Sequence, residues 1–139
     1  MEASLADALR VPDYDILAVD AFSSDSIPIH LLTREAFALY FRHLQPGGVL
    51  AVHVSNKHLD LAPVVDVAAR ALGKHAMLID TEDDDDNAVF SASWVMVSAR
   101  QSYFQFPLIQ AAATPITGNA RLRMWTDDYS NLFQILKLR

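Results

Sequence analysis

Apolar and polar positions follow two different periods along this chain. Ile16–Val19 is an uninterrupted apolar run that stops at Asp20, and it reads as a strand buried on both faces. Val49–Val54 is a second such run, ending at the small polar pair Ser55-Asn56. Ala76–Ile79 is a third, and Val89–Ala99, built around Trp94-Val95-Met96-Val97, is a fourth. Between them the period becomes that of a helix. Phe37, Tyr40, Phe41 and Leu44 fall at i, i+3, i+4 and i+7, which predicts a helix from about Thr33 to Leu44. Thr33 is a suitable N-cap, and Gln45-Pro46-Gly47-Gly48 stops the helix with both breakers. Leu61, Val64, Val65, Ala68 and Leu72 line a second helix. Asp60 can cap it, Pro63 is tolerated in its first turn, and Gly73 follows its end.

The flanks are weaker. Glu2–Leu9 has a faint helical period that ends at Val11-Pro12-Asp13. Gln101–Gly118 holds at most a short helix near Pro107–Ala113. A last helix, capped by Asp127 or Asp128, gathers Tyr129, Leu132, Phe133 and Leu136 on one face. The acidic stretch Thr81–Asn87 is a hairpin-like turn, so the fourth strand runs antiparallel to the third, while the first three are expected to be parallel. No repeat and no second domain is visible. The order of elements predicts one α/β domain over residues 1–139, with about four strands and helices packed on the sheet.

Composition narrows the classes. Of 139 residues, 52% are hydrophobic, enough for a folded core and too many for a disordered chain. The net charge of −6 supplies no basic surface for nucleic acid. The absence of cysteine removes disulfides, thiol nucleophiles and Cys-based zinc sites. No stretch approaches the roughly 18 apolar residues of a membrane span, and the first residues lack the apolar core of a signal peptide. A soluble cytoplasmic protein is the expectation.

Candidate chemistry concentrates at Asp20. In open α/β sheets ligands bind outside the carboxyl ends of strands, and Asp20 sits at one, followed by Phe22, Ser23, Ser24, Asp25, Ser26 and Pro28. Two carboxylates on such a loop suit proton abstraction and the holding of a cation. Spacing alone favours the plainer role, in which Asp20 caps the loop through backbone N–H groups and Asp25 and Ser26 cap the following turn. Trp125 and Tyr129 either wall a small-molecule pocket or pack the last helix on the sheet. The acidic turn lacks the alternating ligands of a calcium loop and reads as solvated. His53 and His58 lack a third ligand and read as ordinary polar positions, so no metal site is expected.

Two stretches carry a family resemblance. Leu44-Gln-Pro-Gly-Gly48 followed by VLAVHVSN resembles the L-x-P-G-G turn and strand of class I S-adenosylmethionine-dependent methyltransferase folds. YDILAVDAFSSDSIPIHLLTREAF resembles the catalytic segment of the spermidine synthase, or polyamine aminopropyltransferase, family, and WTDDYSNLF resembles the end of spermidine synthase-like proteins. The resemblance implies a partial Rossmann-like sheet whose strands correspond to the fourth to seventh of that domain. It implies that Asp20 is the general base, that Asp25 helps hold a polyamine with Ser23 and Ser24 beside it, and that Trp125 and Tyr129 border the substrate. Glu2 takes the place of the acidic residue that reads adenine. The donor would be decarboxylated S-adenosylmethionine. The family's loop reads Asp-Ser-Ser-Asp, whereas this one reads Asp20-Ala-Phe-Ser-Ser-Asp25, so the match places Asp20 more firmly than Asp25.

The resemblance also implies what lies outside the chain. The family's glycine-rich nucleoside turn belongs to its first half, and the glycines here are Gly47, Gly48, Gly73 and Gly118, none of them before Asp20. The chain therefore reads as the C-terminal half of the domain, expected to bind no cofactor tightly by itself. The strand Ile16–Val19 then becomes an apolar edge, and such edges pair with other chains. A homodimer or higher oligomer through that edge or the adjoining helices is expected. The rival readings are a non-catalytic dimerising or partner-binding module and a methyltransferase remnant.

Overall fold

The computed structural model describes residues 14–20, 29–56, 59–83, 85–87, 91–118 and 121–137. The strands are β1 (Tyr14–Val19), β2 (Leu44–His53), β3 (His75–Thr81), β4 (Ala92–Ser98) and the two-residue β5 (Ala113–Thr114). The helices are α1 (Arg34–Arg42), α2 (Ala62–Ala71) and α3 (Pro107–Ala112), with short 3₁₀ turns such as Gln101–Gln105 and Leu132–Ile135. The strands form one sheet in the order β1-β2-β4-β3-β5. This is an α/β fold with a mixed sheet, compatible with a partial Rossmann-like domain.

β1 and β2 are parallel, and β4 is antiparallel to both β2 and β3. The first three strands therefore point the same way, as the pattern predicts. They are not all neighbours, because β4 inserts between β2 and β3. Trp94 to Val97 is apolar on both faces, and in this position β4 is hydrogen-bonded along both edges, to β2 and to β3. The turn that closes the β3–β4 hairpin uses its polar side chains locally. Thr81 Oγ1 accepts from Ala92 N at 3.0 Å, and Asp83 accepts from Ser91 N.

Register sorts the side chains. Val19 pairs with Val52, Val52 with Val95 and Val95 with Leu78. Residues opposite each other share a face, and the next pair along a strand points to the other. This row and the row Leu17–Leu50–Val97 join Phe37 of α1 and Val64, Val65, Ala68 and Ala69 of α2 in one hydrophobic core. The alternate rows, among them Ala18–Ala51–Met96, face the other way.

β1 corrects one expectation. It was read as buried on both faces, but only Val19 is buried and Leu17 half-buried, while Ile16 is 63% exposed. β1 is the sheet's edge strand, and among the described residues no strand covers its free side. The apolar run is necessary for a two-sided strand and insufficient to make one.

The predicted helix at Thr33–Leu44 forms as Arg34–Arg42, with the Thr33 hydroxyl accepting from Ala36 N at 3.2 Å. Leu44 and the Pro46-Gly47-Gly48 breaker belong instead to the irregular start of β2. Tyr14 pairs with Leu44 and Ile16 with Val49, so β2 absorbs extra residues there, and Gly47 supplies a φ of 79°. α2 has Pro63 in its first turn and Gly73 beyond its end at φ 71°. Asp60 does not cap it: the cap residue is Leu61, and Asp60 N donates to Ile135 O at 2.7 Å, tying the helix start to the C-terminal segment. The predicted final α-helix is also absent. Thr126 and Tyr129 exchange backbone hydrogen bonds of 2.9 and 3.1 Å in a turn, and only the 3₁₀ turn Leu132–Ile135 follows. Asp127 is drawn away from capping because it serves α1, as described below. The faint helix at Glu2–Leu9 lies outside the described residues.

Asp66 on α2 is buried beneath Arg70, whose guanidinium lies 3.1 Å from its carboxylate. Burial raises the Asp66 pKa above the usual 3.8, and Arg70 only partly offsets it. A carboxyl whose folded-state pKa is raised contributes stability below its unfolded value, and that contribution is lost as pH rises through the folded value. Asp66→Asn should therefore gain in stability relative to the wild type as pH is raised from about 3.8 towards neutrality. Urea unfolding across that range measures the difference, and a gap that narrows with rising pH contradicts it.

Candidate active site at the strand ends

The site is built where β1 and β2 end. Asp20 follows Val19 and His53 follows Val52, and those two valines are register partners. Both chains thus deliver a polar side chain one step past the last core row. His53 Nδ1 lies 3.0 Å from Asp20 Oδ1. The imidazole is largely covered, whereas the Asp20 side chain is 58% exposed. The oxygen lies off the direction of a ring N–H, and Nδ1 makes no aligned hydrogen bond, so the contact is an electrostatic one at ion-pair distance.

Trp94 completes the row. It is the register partner of His53 on β4, and the two rings lie 4.9 Å apart at a tilt of 41°. Beyond His53, Val54 N donates to Ser93 O at 2.8 Å and the Ser55 hydroxyl accepts from Ser93 N at 2.7 Å. Asn56 Oδ1 accepts from Leu59 N at 2.9 Å. These bonds hold the end of β2 against β4 and fix the His53 backbone.

A separate cavity of about 770 Å³ opens between α1 and the C-terminal segment. Ile29, Leu39, Tyr40 and Tyr129 supply apolar wall, and His30, Glu35, Asp127 and Asp128 supply polar groups. Its frame is a knot of hydrogen bonds. The buried Thr33 hydroxyl donates to Asp127 Oδ1 at 2.8 Å, Asp127 N donates to Glu35 Oε2 at 3.0 Å, and Arg34 N donates to Trp125 O at 2.8 Å. Tyr40 Oη donates to Leu31 O at 2.8 Å, and burial raises the pKa of its phenol. The Arg123 guanidinium stands 4.5 Å over the Tyr129 ring.

Of the residues singled out by sequence, Asp20 stands at the strand end and Tyr129 on the cavity wall. Asp20 is not part of that wall. Trp125 is a core residue, 1% exposed, and its Nε1 finds no hydrogen-bond partner among the described residues. Glu2, Ser23, Ser24 and Asp25 lie outside the described residues, as does His58. No group of three or more potential metal ligands occurs among the described residues. Sequence reading set His53 aside. Its signal was the alternation in VLAVHV, which puts His53 on the face opposite Leu50 and Val52. Only the pairing of β1 with β2 brings it to Asp20.

No family model matches the chain. Among curated proteins, a probable polyamine aminopropyl transferase of Bifidobacterium longum is 38% identical over 42 residues. That stretch is 30% of this chain and 9% of the bacterial protein, so the chain spans far less than two thirds of that relative. The local similarity supports a spermidine synthase-like relationship. No helix among the described residues is long and apolar enough to cross a membrane.

Removing the Asp127 carboxylate isolates the cavity's frame. Asp127→Ala leaves the Thr33 hydroxyl proton, among the described residues, only His30 O at 3.4 Å as an acceptor, while the Thr33 oxygen still accepts from Ala36 N. It should cost about 1 kcal/mol in chemical denaturation, the scale of one side-chain hydrogen bond. Asp127→Asn keeps an acceptor oxygen and should cost less than half as much. Equal losses in the two variants would mean that the charge, rather than the bond to Thr33, matters.

Proposed function

We propose that this chain carries the base-delivering part of a spermidine synthase-like aminopropyltransferase domain. The observation that carries this reading is the position of Asp20. It stands exposed at the carboxyl end of the parallel pair β1–β2, where α/β sheets place ligands. The local similarity to a probable polyamine aminopropyl transferase and the motif around Asp20 support the same reading.

In aminopropyl transfer an amine nitrogen attacks the carbon beside the sulfonium of decarboxylated S-adenosylmethionine. The new C–N bond forms as the C–S bond breaks, and methylthioadenosine leaves with the electron pair. The attacking amine must first be neutral, because an ammonium has no lone pair. Asp20 takes the proton that the nitrogen loses. Asp25 holds a second, distant ammonium of the polyamine, with Ser23 and Ser24 beside it. Glu35 and Asp128 make the wall of the separate cavity negative, which favours the approach of a cation. Glu2 contacts the nucleoside, whose glycine-rich cradle belongs to the other half of the domain.

The test is a transfer assay on the protein encoded by the complete reading frame, with a polyamine acceptor and decarboxylated S-adenosylmethionine. The aminopropylated amine is read by mass spectrometry. Asp20→Asn should lower the rate by about 10²–10⁴-fold, the usual contribution of a positioned general base. An unchanged rate would remove Asp20 from the mechanism. Absence of transfer to any polyamine would remove the activity.

A second reading, association through β1, is favoured by one observation. The free edge presents Ile16 at 63% exposed beside a half-exposed Tyr14, and unpaired apolar edges recruit further strands. Light scattering should give about twice the 15.4 kDa chain mass for the wild type and the single mass for Ile16→Lys. A wild-type monomer rules the edge out as an interface.

A further inference from the structure

We infer that His53 is the positioning residue for Asp20: its Nδ1–H holds one carboxylate oxygen and leaves the other free for the substrate. Three independent observations meet at this residue. First, register places it beside the end of β1, and Nδ1 lies 3.0 Å from Asp20 Oδ1. Second, Nδ1 is sealed from water, and among the described residues no aligned hydrogen bond reaches it. A buried donor left unpaired is costly, and the Asp20 carboxylate is the group within reach. That carboxylate is mostly exposed, and its terminal torsion is soft, so a turn of the carboxylate alone aligns it with the ring N–H. Third, the ring cannot swing away freely. Trp94 lies against it at 4.9 Å, and the backbone on either side is held in the sheet or bonded to Ser93.

The consequence is directional. With one lone pair of Oδ1 engaged by the ring N–H, Oδ2 is the Asp20 oxygen left wholly free to take a proton from an incoming amine. A strand-end aspartate by itself samples several carboxylate orientations, and a loss of positioning costs rate even when the base is present. Trp94 lies on β4, His53 on β2 and Asp20 directly after β1, so the orientation of the base is set from three adjacent strands. What the held carboxylate does in catalysis rests on the aminopropyltransfer reading above. The holding itself does not.

The test has two arms that separate these claims. Nitrogen-15 NMR of the His53 ring in this chain, under mildly alkaline conditions, identifies which nitrogen carries the proton. Protonation at Nδ1 is expected in the wild type, with a shift towards Nε2 in Asp20→Ala. The amide spectrum away from the strand ends serves as the check on folding. Protonation at Nε2 in the wild type, unmoved by Asp20→Ala, overturns the inference whatever the protein's activity. In the transfer assay, His53→Ala should lower kcat on the order of tenfold to a hundredfold, the scale of a misplaced catalytic group, with KM little changed. His53→Asn puts an amide N–H near the position of Nδ1 and should recover most of the loss. Equal losses in the two variants count against positioning. If no transfer occurs at all, the activity reading fails, and the NMR result still decides whether His53 holds Asp20.

Discussion

The in-register valine row Val19–Val52–Val95 is the constraint on which the rest of the structure depends. All three side chains are buried, and α1 and α2 close over them in the same core. Strand side chains alternate strictly, so burying this row forces the next one, Asp20–His53–Trp94, to the opposite face and to the strand ends. A one-residue slip of β1 against β2 would bury Asp20 and separate it from His53. Core packing and site geometry are therefore specified by the same pairing. The apolar side of that pairing supplies the free energy that keeps a mostly exposed carboxylate in place.

A second constraint works at the other end of α1. The Thr33 hydroxyl accepts from Ala36 N and donates to Asp127, while Asp127 N donates to Glu35. One buried threonine thereby joins a helix start to a segment more than ninety residues later. This explains why Asp127 heads a turn rather than a helix, and why Trp125 enters the core with its carbonyl on Arg34 N. The cavity beside Tyr129 opens next to this knot, between α1 and the C-terminal segment that the knot ties to it. The strand-end row and the cavity are thus organised by different interactions, the first by sheet register and the second by side-chain hydrogen bonds.

The functional reading draws on both kinds of information. A motif around Asp20 and a short stretch of similarity to a polyamine aminopropyl transferase point to a reaction class. Neither bears on what surrounds Asp20. Its neighbours are groups distant in sequence, since His53 lies on β2 and Trp94 on β4. The exposed β1 edge is a further product of topology: the same Ile16–Val19 run that reads as a buried strand becomes an edge once β2 occupies one side and no described strand the other.

The sequence by itself determined the elements whose signals are local. Thr33 as an N-cap, the Pro63 helix start, the Gly73 stop and the apolar period-2 runs each depend on neighbours within a turn or two, so their chemistry is readable in order along the chain. It also placed Asp20 at a strand end. Tertiary structure decided what depends on distant partners. It put the α2 cap at Leu61, tied Asp60 N to Ile135 O, and engaged the Asp127 carboxylate with the Thr33 hydroxyl, all through partners far along the chain. It placed β4 inside the sheet, left one face of β1 exposed and set His53 beside Asp20. Which strand lies next to which depends on a balance of burial struck over the whole sheet at once, and so it is not written in any one strand.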